Sequence, residues 1–261
     1  MTDTIFMIHG MWAGPWYWEN YRGLFENEGY RCITPALRYH DMDSKETPDS
    51  RLGTTSLLDY AQDLEQEVER LGVKPIIVGH SMGGLLAQIL ASRGLAKALV
   101  LLAPAWSAGI LGLTPSVIKS FWSVMTTWGF WRKPVRQTFD EAVYSALHLL
   151  PPEAQKETYN RLGYESGWTA FEIGLWFLDA RGASRVDASQ VTCPVLVIGG
   201  GKDRIVPASV VRKVARKYEP LSTYKEFENH AHWLVAEPGW QEVAECVVGW
   251  LEEVSWRSSC P

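Results

Sequence analysis

Cysteine is scarce in this sequence, and nothing suggests that it is put to use. Cys32, Cys193, Cys246 and Cys260 form no C-x-x-C pair, and none stands at metal-ligand spacing with a histidine. Neither a disulfide framework nor a metal site is expected, because 261 residues can bury a sizeable core of their own. Cys32 and Cys193 read as small residues in or beside buried strands, and Cys260 as part of a loose tail. Long apolar runs are missing too. The longest spans Ala98 to Ala103, far too short to cross a bilayer. The opening Met1-Thr2-Asp3-Thr4 has no basic region followed by an apolar one, so a cytoplasmic protein is expected. Positive charge does not cluster: 25 Lys and Arg stand against 30 Asp and Glu, net −5. A nucleic-acid binder would need the opposite, and Arg212, Lys213, Arg216 and Lys217 read as the solvated face of a helix. Internal repeats and low-complexity tracts are also absent.

What the sequence does have is alternation. Short apolar runs trade places with longer amphipathic ones, the pattern of βα units around a parallel sheet. Strands are predicted at Ile5–Ile8, Arg31–Thr34, Ile76–Val78, Ala98–Leu102, Val195–Ile198 and Thr223–Phe227. Helices are predicted from about Trp16 to Glu28, over Ser56–Leu71 and Met82–Ser92, near Ser209–Tyr218, and over Trp240–Val254. Gly29 and Gly72 close the first two. The spacing of Leu57, Leu58, Ala61, Leu64, Val68 and Leu71 makes the second the clearest. A polar loop fills the stretch up to about Thr54. From Pro104 to Gln190 the alternation stops: no strand is evident, and Trp106, Phe121, Trp122, Trp128, Phe130, Trp131, Trp168, Phe171, Trp176 and Phe177 crowd in. These aromatics either pack helices together or line an apolar pocket, and the two uses are compatible. The expected division is a core of residues 1–103 and 191–261 with a helical cap over 104–190.

Gly79-His80-Ser81-Met82-Gly83 fits G-x-S-x-G, which lifts a serine above a sheet edge on a crowded strand-to-helix turn. The context is right, with the run Ile76–Val78 just before it and Leu85, Leu86, Ile89 and Leu90 just after. A serine hydroxyl needs a base, and the base needs an orienting carboxylate. Asp203 follows the fifth predicted strand of the core and His232 the sixth, so both reach the carboxyl edge where Ser81 stands. The order Ser, Asp, His is that of the nucleophile-elbow hydrolases. Asp179 and Asp187 fall in the insertion, as does His148, while His40 falls in a loop. His9 and His80 read as structural hydrogen-bonders. His230 is the rival base. An oxyanion formed at Ser81 would meet the backbone N–H of Met82 and, from the loop His9-Gly10-Met11-Trp12, that of Met11.

His9-Gly10, Gly79-His80-Ser81-Met82-Gly83, Asp203-Arg204-Ile205-Val206-Pro207 and His232-Trp233 together resemble the signature set of the α/β-hydrolase superfamily. The resemblance implies an α/β fold with a mostly parallel sheet of about six strands flanked by helices, and a cap inserted after the fourth. It implies a serine triad without a cofactor, acting with water on a small ester-like molecule. Members usually begin with two further strands. Here only Met1–Asp3 precede the first, so an uncovered sheet edge, or a second copy against it, is expected there. The run Trp12-Ala13-Gly14-Pro15-Trp16-Tyr17-Trp18 is similar to plant methylesterases and hydroxynitrile lyases. The lyases place lysine after the catalytic histidine, where this chain has Trp233, and lack the glycine of His9-Gly10. Dehalogenases and epoxide hydrolases carry aspartate at the elbow, where this chain has Ser81. The expectation is a carboxylesterase for small or medium acyl groups, with Trp12, Trp106, Trp128 and Trp131 in its pocket. An acyl-homoserine lactonase, a thioesterase, or a ligand receptor that keeps the triad are the alternatives.

Overall fold

A computed structural model describes residues 2–259 apart from Met42 and Lys45; the expectation for Cys260 lies outside the described residues. The core strands are β1 (Thr4–Ile8), β2 (Arg31–Ile33), β3 (Ile76–His80), β4 (Ala98–Leu102), β7 (Val195–Gly200) and β8 (Ser222–Phe227). They form one sheet in the order β2-β1-β3-β4-β7-β8, every neighbouring pair parallel. The four central strands are buried along their whole length, which is why they read as unbroken apolar runs. The edges are blunted in different ways. β2 is three residues long and carries an exposed Arg31, and β8 exposes Lys225 and Glu226.

Helices flank the sheet: α1 (Glu19–Asn27), α2 (Leu57–Arg70), α3 (Met82–Ser92), α9 (Ala208–Arg216) and α10 (Trp240–Ser259). The predicted first helix begins instead as a 3-10 turn over Pro15–Trp18, set by Pro15 in its first turn. The insertion holds α4 (Pro115–Ser120), α5 (Trp122–Thr126), α6 (Phe139–Ala142), α7 (Pro152–Arg161) and α8 (Gly167–Gly174). It also holds two strands that the sequence reading missed. β5 (Pro134–Val135) and β6 (Glu165–Ser166) pair antiparallel. Two residues each cannot display an alternating pattern, so no periodicity could reveal them.

Polar groups fasten the insertion to the core. The Glu172 carboxylate accepts from the Ser56 hydroxyl at 2.6 Å and from the Leu57 N–H at 2.7 Å, capping the N-terminus of α2. Ser166 and Thr169 both donate to the Thr55 carbonyl, at 2.6 and 2.9 Å. Glu165, fully buried, accepts from Tyr60 at 2.7 Å and meets His40 at 3.2 Å.

Candidate active site

The turn from β3 into α3 is where local sequence and geometry agree most tightly. Ser81 sits at φ 53°, ψ −121°, a region that side-chain-bearing residues avoid at a cost of about 1–3 kcal/mol. Two flanking glycines make room for it. A β-carbon on Gly79 would come within 2.3 Å of the Gly83 carbonyl oxygen, and one on Gly83 within 2.2 Å of that of Ile8. Trp12, Tyr39 and Ala103 also take positive φ, at 63°, 66° and 41°. Strain therefore gathers in the segments that follow the carboxyl ends of β1, β2, β3 and β4.

Asp203 and His232 arrive at the same carboxyl edge from the ends of β7 and β8. His232 Nδ1 donates to Asp203 Oδ2 at 2.7 Å, which leaves Nε2 as the ring's free acceptor. The other carboxylate oxygen, Oδ1, accepts from the backbone N–H of Ile205 and Val206 at 2.7 and 2.8 Å. Ser81, Asp203 and His232 are all buried. Ser81 and His232 line the same cavity, of about 30 Å³, and among the described residues the Ser81 hydroxyl has no hydrogen-bond partner. That room holds about one or two waters.

Two further histidines brace the surroundings. His9 Nε2 accepts from the Leu37 N–H at 3.3 Å, so its proton sits on Nδ1 and is donated to the Gly10 carbonyl at 2.9 Å. Burial, helped by the neighbouring His40, pushes the His9 pKa down to about 3, keeping the ring neutral. Because the Gly10–Met11 peptide is planar and trans, pinning its carbonyl toward His9 turns the Met11 N–H the other way. Met11 lines the cavity beside Ser81, and a β-carbon on Gly10 would stand 3.0 Å from that of Ser81. His80 donates from Nε2 to the His232 carbonyl at 2.9 Å and lies against the His232 ring, centroids 4.6 Å apart. Burial, then His232, holds the His80 pKa well below the usual range.

His230 points elsewhere. Its Nδ1 meets Glu237 Oε1 at 2.9 Å, and the same oxygen accepts from the Ala231 N–H at 2.8 Å. Glu237 is fully buried, which raises its pKa. His148 and His40 also lie off the cavity that Ser81 lines, and Asp179 caps a turn by accepting from the N–H groups of Arg181 and Ala183. Met82 follows Ser81 directly and is buried at the start of α3.

The pocket aromatics divide. Trp12 lines the cavity of Ser81 and donates to the Val135 carbonyl at 3.1 Å. Trp106 lines a neighbouring apolar cavity of about 190 Å³. Trp128 does not fit the expectation: it is 84% exposed and lines neither cavity. Trp131 misses both as well, packing on Trp128 and Phe130 in a small side cluster. Phe121, not among the expected pocket residues, lines both cavities, as does Met11, which is expected only as an oxyanion donor; Val117, Val124 and Ile173 stand behind them. Val117, Phe121 and Val124 recur at helical spacing, the one signal that could have singled them out. A larger cavity, about 370 Å³, lies beyond Trp12 with Tyr39, His40, Asp41, Arg161 and Tyr164 in its wall, and includes neither Ser81 nor His232. Among the described residues no group of three or more His, Cys, Asp or Glu side chains could hold a metal ion.

A sequence model described as the alpha/beta hydrolase family matches residues 5–245. The chain belongs to that family. A monoacylglycerol lipase from Paleococcus ferrophilus is similar in structure, with TM-score 0.69 and 22% identity over 96% of this chain and 95% of its own. A methylesterase from Arabidopsis gives 0.70 at 13% identity, covering 96% and 99%. Methylketone synthase I from tomato, solved with 2-tridecanone, gives 0.72 at 14%, covering 97% and 99%. Comparison with curated protein sequences gave no match.

The His40–Glu165 pair has a measurable consequence. Burial alone would lower the His40 pKa, but the Glu165 carboxylate outweighs it, assisted by the Arg38 carbonyl and Asp41, and the net shift is upward from 6.5. A histidine whose folded pKa is raised stabilises fully below its unfolded value, and that stabilisation fades as pH climbs through the folded one. His40→Gln should therefore cost most stability below about pH 6.5. Urea unfolding across pH reads this, and a gap between parent and variant that does not narrow above that pH would contradict it.

Proposed function

We propose that the chain hydrolyses carboxylic esters of small or medium apolar acyl groups, with Ser81 as nucleophile, His232 as general base and Asp203 orienting it. The observation that carries this reading is the 2.7 Å bond from His232 Nδ1 to Asp203, made beside a cavity that His232 shares with a strained, unbonded serine. Ser81 Oγ attacks the ester carbonyl and its proton passes to His232 Nε2. The carbonyl oxygen becomes an oxyanion held by the N–H groups of Met11 and Met82. Collapse expels the alcohol, which takes the proton from His232. Water, deprotonated by His232, then attacks the acyl-enzyme, releases the acid and restores Ser81. The names of the methylesterase and the monoacylglycerol lipase fit ester chemistry on this fold. A lactone or thioester would use the same first steps.

Room for one or two waters admits no ester, so the insertion, which supplies Phe121, Gln137, Ala142, Ala146 and Leu162 to the wall, acts as a cap that shifts on binding. Phe121 stands between the space at Ser81 and the 190 Å³ apolar cavity, which takes the acyl chain. Each buried methylene adds about 0.8 kcal/mol, roughly fourfold in kcat/KM, until the cavity is full. Nitrophenyl esters from acetyl to dodecanoyl should show that rise and a plateau, and Phe121→Ala should move the plateau to longer chains. A flat profile in the parent, unmoved by the substitution, would mean that the acyl group goes elsewhere. A single slow turnover on every ester would mark a receptor instead of an enzyme.

A further inference from the structure

The exposed large apolar side chains are unevenly placed. Among the described residues only Val73 and Leu221 lie outside the insertion; Leu111, Ile118, Trp122, Met125, Trp128, Phe177 and Leu178 all lie within it. Ile118, Trp122 and Met125 are spaced by four and three residues along α4 and α5, on one side of that paired segment. Trp122 is 60% exposed and Trp128 84%. This apolar surface continues into the 190 Å³ cavity. Met125 belongs to both, Leu111 is two residues from the cavity-lining Leu113, and Phe177 and Leu178 follow the cavity-lining Leu175.

Charge separates this face from the rest of the molecule. From Pro104 to Phe139 the chain has Lys119, Arg132, Lys133 and Arg136 and no Asp or Glu, in a protein of net charge −5. Lys119, Arg132 and Lys133 are exposed. The acid that reaches α5, Glu141, is occupied by the Ser123 hydroxyl and N–H and by Thr138. Large exposed apolar patches mark interaction sites. Tryptophan beside lysine and arginine, with cations outnumbering the one carboxylate that reaches α5, matches the interface of an anionic bilayer, where indoles settle at headgroup depth and each cation gains from surface potential.

We propose that the exposed face of α4 and α5, with Trp128, docks on an anionic lipid surface and sets the mouth of the apolar cavity against it. Docking itself depends only on this face. That the surface delivers acyl chains to Ser81 rests on the reading of the site given above. Among the described residues no helix is long and apolar enough to cross a membrane, and none is needed, since the chain would lie on the surface.

Co-sedimentation of the full chain with vesicles tests this, using phosphatidylcholine alone and phosphatidylcholine with phosphatidylglycerol as a minor component. The parent should bind the mixed vesicles, and salt should weaken that binding. Ser81→Ala should bind as the parent does, so a failure of the esterase reading leaves this test intact. Trp122→Ser should bind about tenfold more weakly to the mixed vesicles. Arg132→Gln should bind about fivefold more weakly to the mixed vesicles and unchanged to phosphatidylcholine alone. Both variants should melt with the parent, since both side chains are exposed. Absence of binding to either vesicle would overturn the proposal, as would equal binding by the parent and both variants. Vesicle-free self-association that Trp122→Ser abolishes would make the face a contact between two copies of this chain, and would overturn it too.

Discussion

Ser81→Ala should leave no more than a trace of ester hydrolysis, a loss on the order of a millionfold in turnover, with the fold intact. Alanine keeps the β-carbon and so inherits the same backbone at φ 53°, neither relieving nor adding strain. The hydroxyl it removes has no partner among the described residues, so no structural hydrogen bond is lost. The melting temperature should therefore stay near that of the parent while kcat collapses. A serine-directed phosphonate should give one adduct per chain in the parent, on Ser81, and none in the variant. Substantial turnover by Ser81→Ala, or a phosphonate adduct on another serine, would show that the chemistry belongs to a different residue.

That such a prediction can be written at all depends on how local the determinants of this site are. The four central strands were legible because each is buried on both faces and so must be apolar throughout, as in Ile5–Ile8 and Val195–Ile198. Gly79 and Gly83 were legible because the turn has no space for a side chain, a requirement set by atoms within a few residues and by the next strand. Topology brought Asp203 and the loop holding His230 and His232 to one edge, since consecutive parallel strands deliver their following loops there; the preference for His232 over His230 came from the resemblance of His232-Trp233 to the family's signature. The insertion answers to no such rule. Its helices are four to ten residues long, its two strands two residues each, and its anchors are long-range: Glu172 to Ser56, Glu165 to His40 and Tyr60. A tryptophan there can face solvent, as Trp128 does, or a cavity, as Trp106 does. Composition is the same in both cases, and only the packing of distant segments tells them apart.

The two histidines of the loop after β8 make the sharpest contrast. His232→Ala should cost nearly as much as Ser81→Ala, on the order of a millionfold, because nucleophile and base act as a unit. Asp203→Asn should cost on the order of ten-thousandfold, since an amide can present its N–H to the ring and favour the wrong tautomer. His230→Ala should cost far less in turnover. Its ring is spent on Glu237, and the Ala231 N–H still holds that carboxylate when the ring is gone. What His230→Ala should lose is stability, because Glu237 would keep a buried carboxylate with one partner fewer. The separation is read by measuring kcat/KM across pH alongside thermal unfolding. His230→Ala should keep the shape of the parent's pH profile, whereas His232→Ala should have almost no rate to profile; both should melt below the parent, since each leaves a buried carboxylate with one partner fewer. The reverse pattern, with His230→Ala dead and His232→Ala active, would move the base by two residues and leave the His232–Asp203 bond as a structural clasp between the loops after β7 and β8.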